Sequence, residues 1–281
     1  MAVLRVAIVQ LEARADVSAN VERAVALAAE AAADADLVLL PEYVQYRGSA
    51  DGYRASAAPV PGPTSAPFAA VARTAGCWIL AGTVAERSED PQRPYNTAVL
   101  FDREGRLAAR YRKLHLFDVA VDDGPADTES ARVTPGDRAV IARVDGAALA
   151  LSICYDLRFP ELYRALALAG GEVLAVPAVF TARTGEAHWE PLLRARAIEN
   201  GAWVLAAAGC GDGGEGAIPA WGHSMVVDPW GRVVASLGAE EGILRAAVDT
   251  DAVAAARRQV PALRNRRPDA LPPAREVEVI A

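Results

Sequence analysis

Short apolar runs alternate with stretches of helical period along almost the whole chain. Val3–Gln10 is apolar and rich in β-branched residues, which predicts a buried strand, and Asn20–Ala33 carries Ala, Leu and Val at helical spacing. Leu37–Leu40 predicts a second buried strand, ending at Pro41-Glu42. The pattern continues with a helix near Ser65–Thr74, strands Trp78–Val84 and Asn96–Phe101, and a loop-rich stretch from Phe117 to Asp137. Strands Ala139–Val144 and Ala147–Cys154 follow, then helix Pro160–Ala169, strand Val173–Pro177, helix Trp189–Asn200 and strand Trp203–Ala208. Strands Gly222–Asp228, Val233–Ser236 and Ile243–Val248 close the series, with Pro229-Trp230-Gly231-Arg232 as a hairpin turn. Gly209–Gly216 lacks the G-x-G-x-x-G spacing and reads as a surface loop. No linker or charge block interrupts the alternation, so a single α/β domain over residues 1–281 is expected.

Composition narrows the function classes. With 52% apolar residues, 23% charged residues and a formal net charge of −7, the chain offers no electrostatic case for nucleic acid or an anionic membrane. The first residues lack the layout of a signal peptide, and no apolar window has the length of a membrane helix. Cys77, Cys154 and Cys210 are odd in number and dispersed, which argues for a reducing, cytoplasmic setting. None of the His residues forms a ligand-like pair, so neither a metal nor a cofactor is expected.

The chain has 29 basic residues, and Lys113 is the sole lysine among them. In an arginine-rich chain, a retained lysine at Tyr-Arg-Lys-Leu-His-Leu-Phe points to a task for a compact ammonium rather than a planar guanidinium. Cys154 ends the run Ala-Leu-Ala-Leu-Ser-Ile-Cys shortly before Pro160, at a strand-to-helix turn where a helix dipole would lower its pKa. Glu42 also ends a strand, where α/β proteins place ligands and where apolar neighbours favour a general base. A thiol, a carboxylate base and an ammonium together suffice for acyl transfer.

Around these residues the chain resembles the nitrilase superfamily of carbon-nitrogen hydrolases. The motifs are Leu-Leu-Pro-Glu-Tyr at Glu42, Tyr-Arg-Lys-Leu-His-Leu-Phe-Asp at Lys113 and Ile-Cys-Tyr-Asp-Leu-Arg-Phe-Pro-Glu-Leu at Cys154. Residues 187–200 and 221–231 are similar to the Nit branch, which includes deaminated glutathione amidase and omega-amidase. The similarity extends to Arg267; the tail from about residue 268 departs from the usual ending of the branch. The resemblance implies a four-layer α-β-β-α sandwich, catalytic roles for Glu42, Lys113 and Cys154, and an assisting role for Glu129. It also implies pocket positions for Phe180, Thr181 and Thr184, and a homodimer joined across helices such as Trp189–Asn200.

The expected chemistry is hydrolysis of a small carboxylate-bearing amide through a Cys154 thioester. Lys113 and the Tyr155 backbone N–H would hold the oxyanion, and Arg158 is a candidate grip for the substrate carboxylate, or else a structural ion pair with Glu161 or Asp156. A glutaminase-type thiol site using His188-Trp189-Glu190 competes, but it leaves Glu42 and Lys113 without roles, as would a catalytically silent scaffold. Because a strand-end side chain buries modest area, substituting Lys113 is expected to change stability little.

Overall fold

The computed structural model describes residues 3–120, 126–214 and 217–270. Along β1 (Val3–Gln10) the two-residue period of a strand divides the side chains between two cores. Leu4, Val6 and Ile8 join one apolar cluster, and Ala7 and Val9 join another. β2 (Leu37–Leu39) repeats the division, with Leu37 and Leu39 facing the first cluster and Val38 the second. A strand buried on both faces explains why these segments read as continuous apolar runs.

The second cluster lies between this sheet and two helices. From α1 (Val17–Ala32) it takes Ala24, Ala28 and Ala31, and from α3 (Ala66–Ala75) it takes Phe68 and Ala72. The short helix α2 (Ala50–Ala55) precedes α3. The first sheet has the order β14-β1-β2-β3-β4-β5, completed by β3 (Trp78–Glu86), β4 (Tyr95–Phe101), β5 (Leu107–Arg112) and β14 (Gly242–Asp249). Strands β1, β2 and β3 run parallel, and the outer strands pair antiparallel.

The first cluster is shared with a second sheet of order β13-β12-β11-β10-β9-β8. Its strands are β8 (Val140–Val144), β9 (Ala147–Leu151), β10 (Val173–Ala178), β11 (Trp203–Ala208), β12 (Met225–Val227) and β13 (Val233–Ser236). Here too the central β9, β10 and β11 are parallel. α4 (Pro160–Leu168) and α5 (Ala182–Asn200) cover its outer side with Leu162, Tyr163 and Leu166, and with Trp189, Leu193 and Ala197. The layers are therefore α-β-β-α, as the resemblance implies.

Several elements differ from the sequence reading. β9 stops at Leu151, and Cys154 instead opens a 3₁₀ segment, Cys154–Arg158, which precedes α4. α5 begins at Ala182 rather than Trp189, capped by Thr181 and carrying Pro191 inside it. Gly185 looks like a breaker, yet it clears space: a Cβ there would lie 2.4 Å from Trp221. β5 and α6 (Asp251–Gln259) were not anticipated, nor was the hairpin of β6 (Asp118–Ala120) and β7 (Ala126–Thr128) within the loop-rich stretch. Part of the Gly-rich loop at 209–216, residues 215–216, lies outside the described residues, as does most of the tail, from 271 onward.

Candidate active site

The carboxyl ends of β2, β9 and β10 converge on one cavity of about 280 Å³ lined by Glu42, Lys113, Glu129 and Cys154 among others. Glu42 follows β2 through Pro41, and a bulge in β3 makes room for that turn. Gly82, at φ 62°, sits so close to the Pro41 carbonyl that a Cβ would come within 1.9 Å of the oxygen. Next to it, Thr83 Oγ1 accepts the Tyr43 backbone N–H at 2.9 Å, fixing the turn that aims Glu42 inward.

Lys113 extends from the end of β5 and is almost fully buried. Its Nζ lies 2.9 Å from Glu42 Oε1 and 2.9 Å from Glu129 Oε2. Glu129 is fully buried and also accepts from the Tyr43 hydroxyl and the Phe117 N–H, both at 2.6 Å. Asn96 Nδ2 donates to Glu42 Oε1 at 2.9 Å, and the Val179 N–H donates to Glu42 Oε2 at 2.9 Å. Both Glu42 oxygens are therefore held by the fold.

Burial alone would discharge this cluster, but the charges sustain one another. Desolvation works to lower the Lys113 pKa, yet the Glu129 and Glu42 charges raise it well above the ordinary lysine value. For Glu129 desolvation works upward, and the Lys113 charge and the donated hydrogen bonds bring its pKa below the usual carboxylate value. Lys113 is a fixed ammonium and Glu129 a fixed carboxylate.

Cys154 adopts φ 46°, a conformation that few non-glycine residues occupy and that commonly marks functional sites. Its Sγ donates to the Val179 carbonyl at 3.7 Å. The acidity of this thiol runs opposite to the sequence expectation. Burial, followed by the Glu42 charge, raises its pKa well above the ordinary cysteine value, with Lys113 opposing. The dipole argument required a helix start at the thiol, but α4 begins only at Pro160. The raised pKa favours the neutral form of the Cys154 thiol. Cys77 and Cys210 are pushed up by burial to about 11 and about 12, and neither lines the cavity.

Asp156, fully buried, ties the lysine and cysteine segments together. It accepts from the Tyr111 hydroxyl at 2.7 Å, the Ile153 N–H at 2.8 Å and the His115 N–H at 3.0 Å. Arg196, buried on the inner face of α5, donates twice to the Leu157 carbonyl, at 3.0 and 2.8 Å, and so anchors the far side of the 3₁₀ turn.

Tyr155, Phe180, Thr181 and Thr184 line the cavity. Arg158 does not: its guanidinium lies 5.1 Å from the Phe180 ring centre, and its Nη1 is 3.2 Å from His188 Nδ1. It makes neither ion pair that the sequence offered, because Asp156 serves Tyr111 and His115 instead. His188 is exposed on α5 and outside the cavity, so the His188-Trp189-Glu190 alternative has no geometry behind it. The sequence reading passed over Asn96, Tyr43 and the cavity-lining Arg47, and offered Asp156 only as a partner for Arg158. Tyr43 adjoins Glu42 in the Pro-Glu-Tyr motif, whereas Asn96 and Arg47 carry no local signal.

Residues 5–258 match the carbon-nitrogen hydrolase family. The chain belongs to the carbon-nitrogen hydrolases. It is 37% identical over 270 residues to omega-amidase NIT2 of Homo sapiens, covering 96% of this chain and 97% of that protein. It is 40% identical over 272 residues to deaminated glutathione amidase of Homo sapiens, covering 94% and 82%. Among solved structures, Saccharomyces cerevisiae Nit3, a member of branch 10 of the nitrilase superfamily, superposes with a TM-score of 0.84 at 30% identity, over 96% of this chain and 97% of that one.

Proposed function

We propose that this hydrolase is an amidase that converts a small carboxylate-bearing amide to acid and ammonia through a thioester on Cys154. The observation that carries the reading is the buried Glu42–Lys113–Glu129 array facing the Cys154 thiol in one cavity. Glu42 takes the thiol proton as sulfur attacks the amide carbon, so the thiolate exists only during attack. The Lys113 ammonium and the Tyr155 N–H stabilise the developing oxyanion. Tyr155 stands in the first turn of its 3₁₀ segment, where backbone N–H groups have no helical acceptor. The C–N bond breaks as Glu42 returns the proton to nitrogen, and ammonia leaves. Glu42 then deprotonates a water that hydrolyses the thioester. Glu129 holds Lys113 in place from the opposite side.

The names of the relatives supply two candidate substrate classes, deaminated glutathione and an ω-amide, at 40% and 37% identity. Product release measured side by side, cysteinylglycine from deaminated glutathione and ammonia from α-ketoglutaramate, tests the reading. Turnover of one or both supports it, and turnover of neither, by folded enzyme, removes it.

The assembly we propose is a homodimer that buries the outer end of α5. Ile198 and Trp230, 56% and 49% exposed, form apolar surface beside Gly231 there. A cytoplasmic setting is in keeping with Cys77, Cys154 and Cys210 as free, buried thiols. Among the described residues no helix is long and apolar enough to cross a membrane.

A further inference from the structure

Among the described residues three cations line the cavity, and two of them are matched. Lys113 lies between Glu42 and Glu129, and Arg132 forms a bidentate pair with Asp127 at 2.5 and 2.7 Å. Arg47 is different. It is 7% exposed and lines the same cavity, yet no carboxylate among the described residues forms an ion pair with it. Its Nη1 donates to the Cys210 and Gly211 carbonyls at 2.9 and 3.1 Å, and its Nη2 donates to the Ile218 carbonyl.

Those carbonyls fix the plane of the guanidinium without neutralising it. Burial lowers the Arg47 pKa, and the charge of Glu12 offsets this only in part. Glu12 itself pairs with Arg14 at 2.9 Å. A guanidinium has five N–H donors, and among the described residues nothing accepts from Arg47 Nε. A buried, pre-oriented cation facing a small cavity is costly unless an anion joins it there.

We infer that Arg47 is the specificity-determining contact for the substrate's carboxylate, the group carried beyond the amide carbon that Cys154 attacks. This rests on the amidase reading above. Arg158 is not available for the task, since it lies behind Phe180 and outside the cavity lining. Arg132 is already satisfied by Asp127. The carbonyls of Cys210, Gly211 and Ile218 orient the fork before substrate arrives, so little ordering cost falls on binding.

The experiment compares glutaramate with its neutral methyl ester as amide substrates, following ammonia release by wild type, Arg47→Gln and Arg47→Lys. Wild type should prefer glutaramate. Arg47→Gln should raise KM for glutaramate roughly 10- to 100-fold while kcat stays within a few-fold, and should leave the ester unaffected. Arg47→Lys should recover part of the loss, because it restores the charge but not the fork. An equal loss on both amides would reduce Arg47 to a loop brace and overturn the inference. A wild type that hydrolyses ester and glutaramate equally well would overturn it too, even if both variants fail to fold. Ammonia from neither amide, by an enzyme that turns over deaminated glutathione or α-ketoglutaramate, would likewise overturn the inference, whereas turnover of none of the four would sink the amidase reading itself.

Discussion

The ammonium of Lys113 lies 2.9 Å from Oε1 of Glu42, with both side chains sealed from solvent. This contact and its counterpart to Glu129 correct the expectation that the lysine could be replaced at little cost in stability. Lys113→Ala leaves two carboxylates buried without a counter-charge, a change that typically costs about 3–5 kcal/mol. Thermal unfolding should show a large drop in Tm, and kcat should fall at least about 10²–10³-fold. Lys113→Arg keeps the charge but brings a larger, planar group into a closed site, so activity should fall almost as far. A Lys113→Arg enzyme with near-normal kcat and Tm would contradict both roles.

Cys154→Ala should abolish ammonia release while leaving the unfolding transition close to that of wild type. Cys77→Ala and Cys210→Ala should remain active, because neither thiol lines the cavity. Substantial turnover by Cys154→Ala would rule out the covalent route.

The pKa of Cys154 is raised, so no resident thiolate should be present at neutral pH. The difference in ultraviolet thiolate absorbance between wild type and Cys154→Ala should stay flat through neutrality and grow only in strongly alkaline solution. A step at or below neutral pH would mean that the thiol is activated by a lowered pKa rather than by Glu42.

Stability should fall toward both pH extremes. The pKa of Glu129 is depressed on folding, so its contribution is present above its unfolded value, about 4.3, and is lost as pH falls through the folded value. The pKa of Lys113 is raised, so its contribution is full below the unfolded value, about 10.4, and is lost as pH rises through the folded one. In Glu129→Gln the acid-side slope of Tm against pH should flatten; an unchanged slope would take Glu129 out of the linkage.

The layer order and the three residues that meet in the cavity could be read from the sequence because each rests on a local signal. β1 and β2 are apolar on both faces, and Glu42, Lys113 and Cys154 stand at element ends within distinctive motifs. What was missed depends on distant partners. The pKa of Cys154 follows from burial against Glu42, and Asn96 matters only because β4 carries it to Glu42. β5 was missed because its outward face is polar and arginine-rich, with Tyr111 buried on the other. α5 read short because Gly185 suggests a break ahead of Trp189, although Gly185 is set by the proximity of Trp221.

Sedimentation at micromolar concentration should give a dimer, and Ile198→Glu should shift it toward the 29.5 kDa monomer. A monomeric wild type would remove the proposed interface.

The central claim is an acyl thioester on Cys154, and hydroxylamine tests it most directly. Added to the ammonia-release assay, hydroxylamine should compete with water for the thioester and divert product from acid to hydroxamate, in a ratio that rises with its concentration. Ammonia release should continue, and Cys154→Ala should form neither product. Steady ammonia release with acid as the sole product at every hydroxylamine concentration would mean that water attacks the amide directly, and the mechanism built on Cys154 would be wrong.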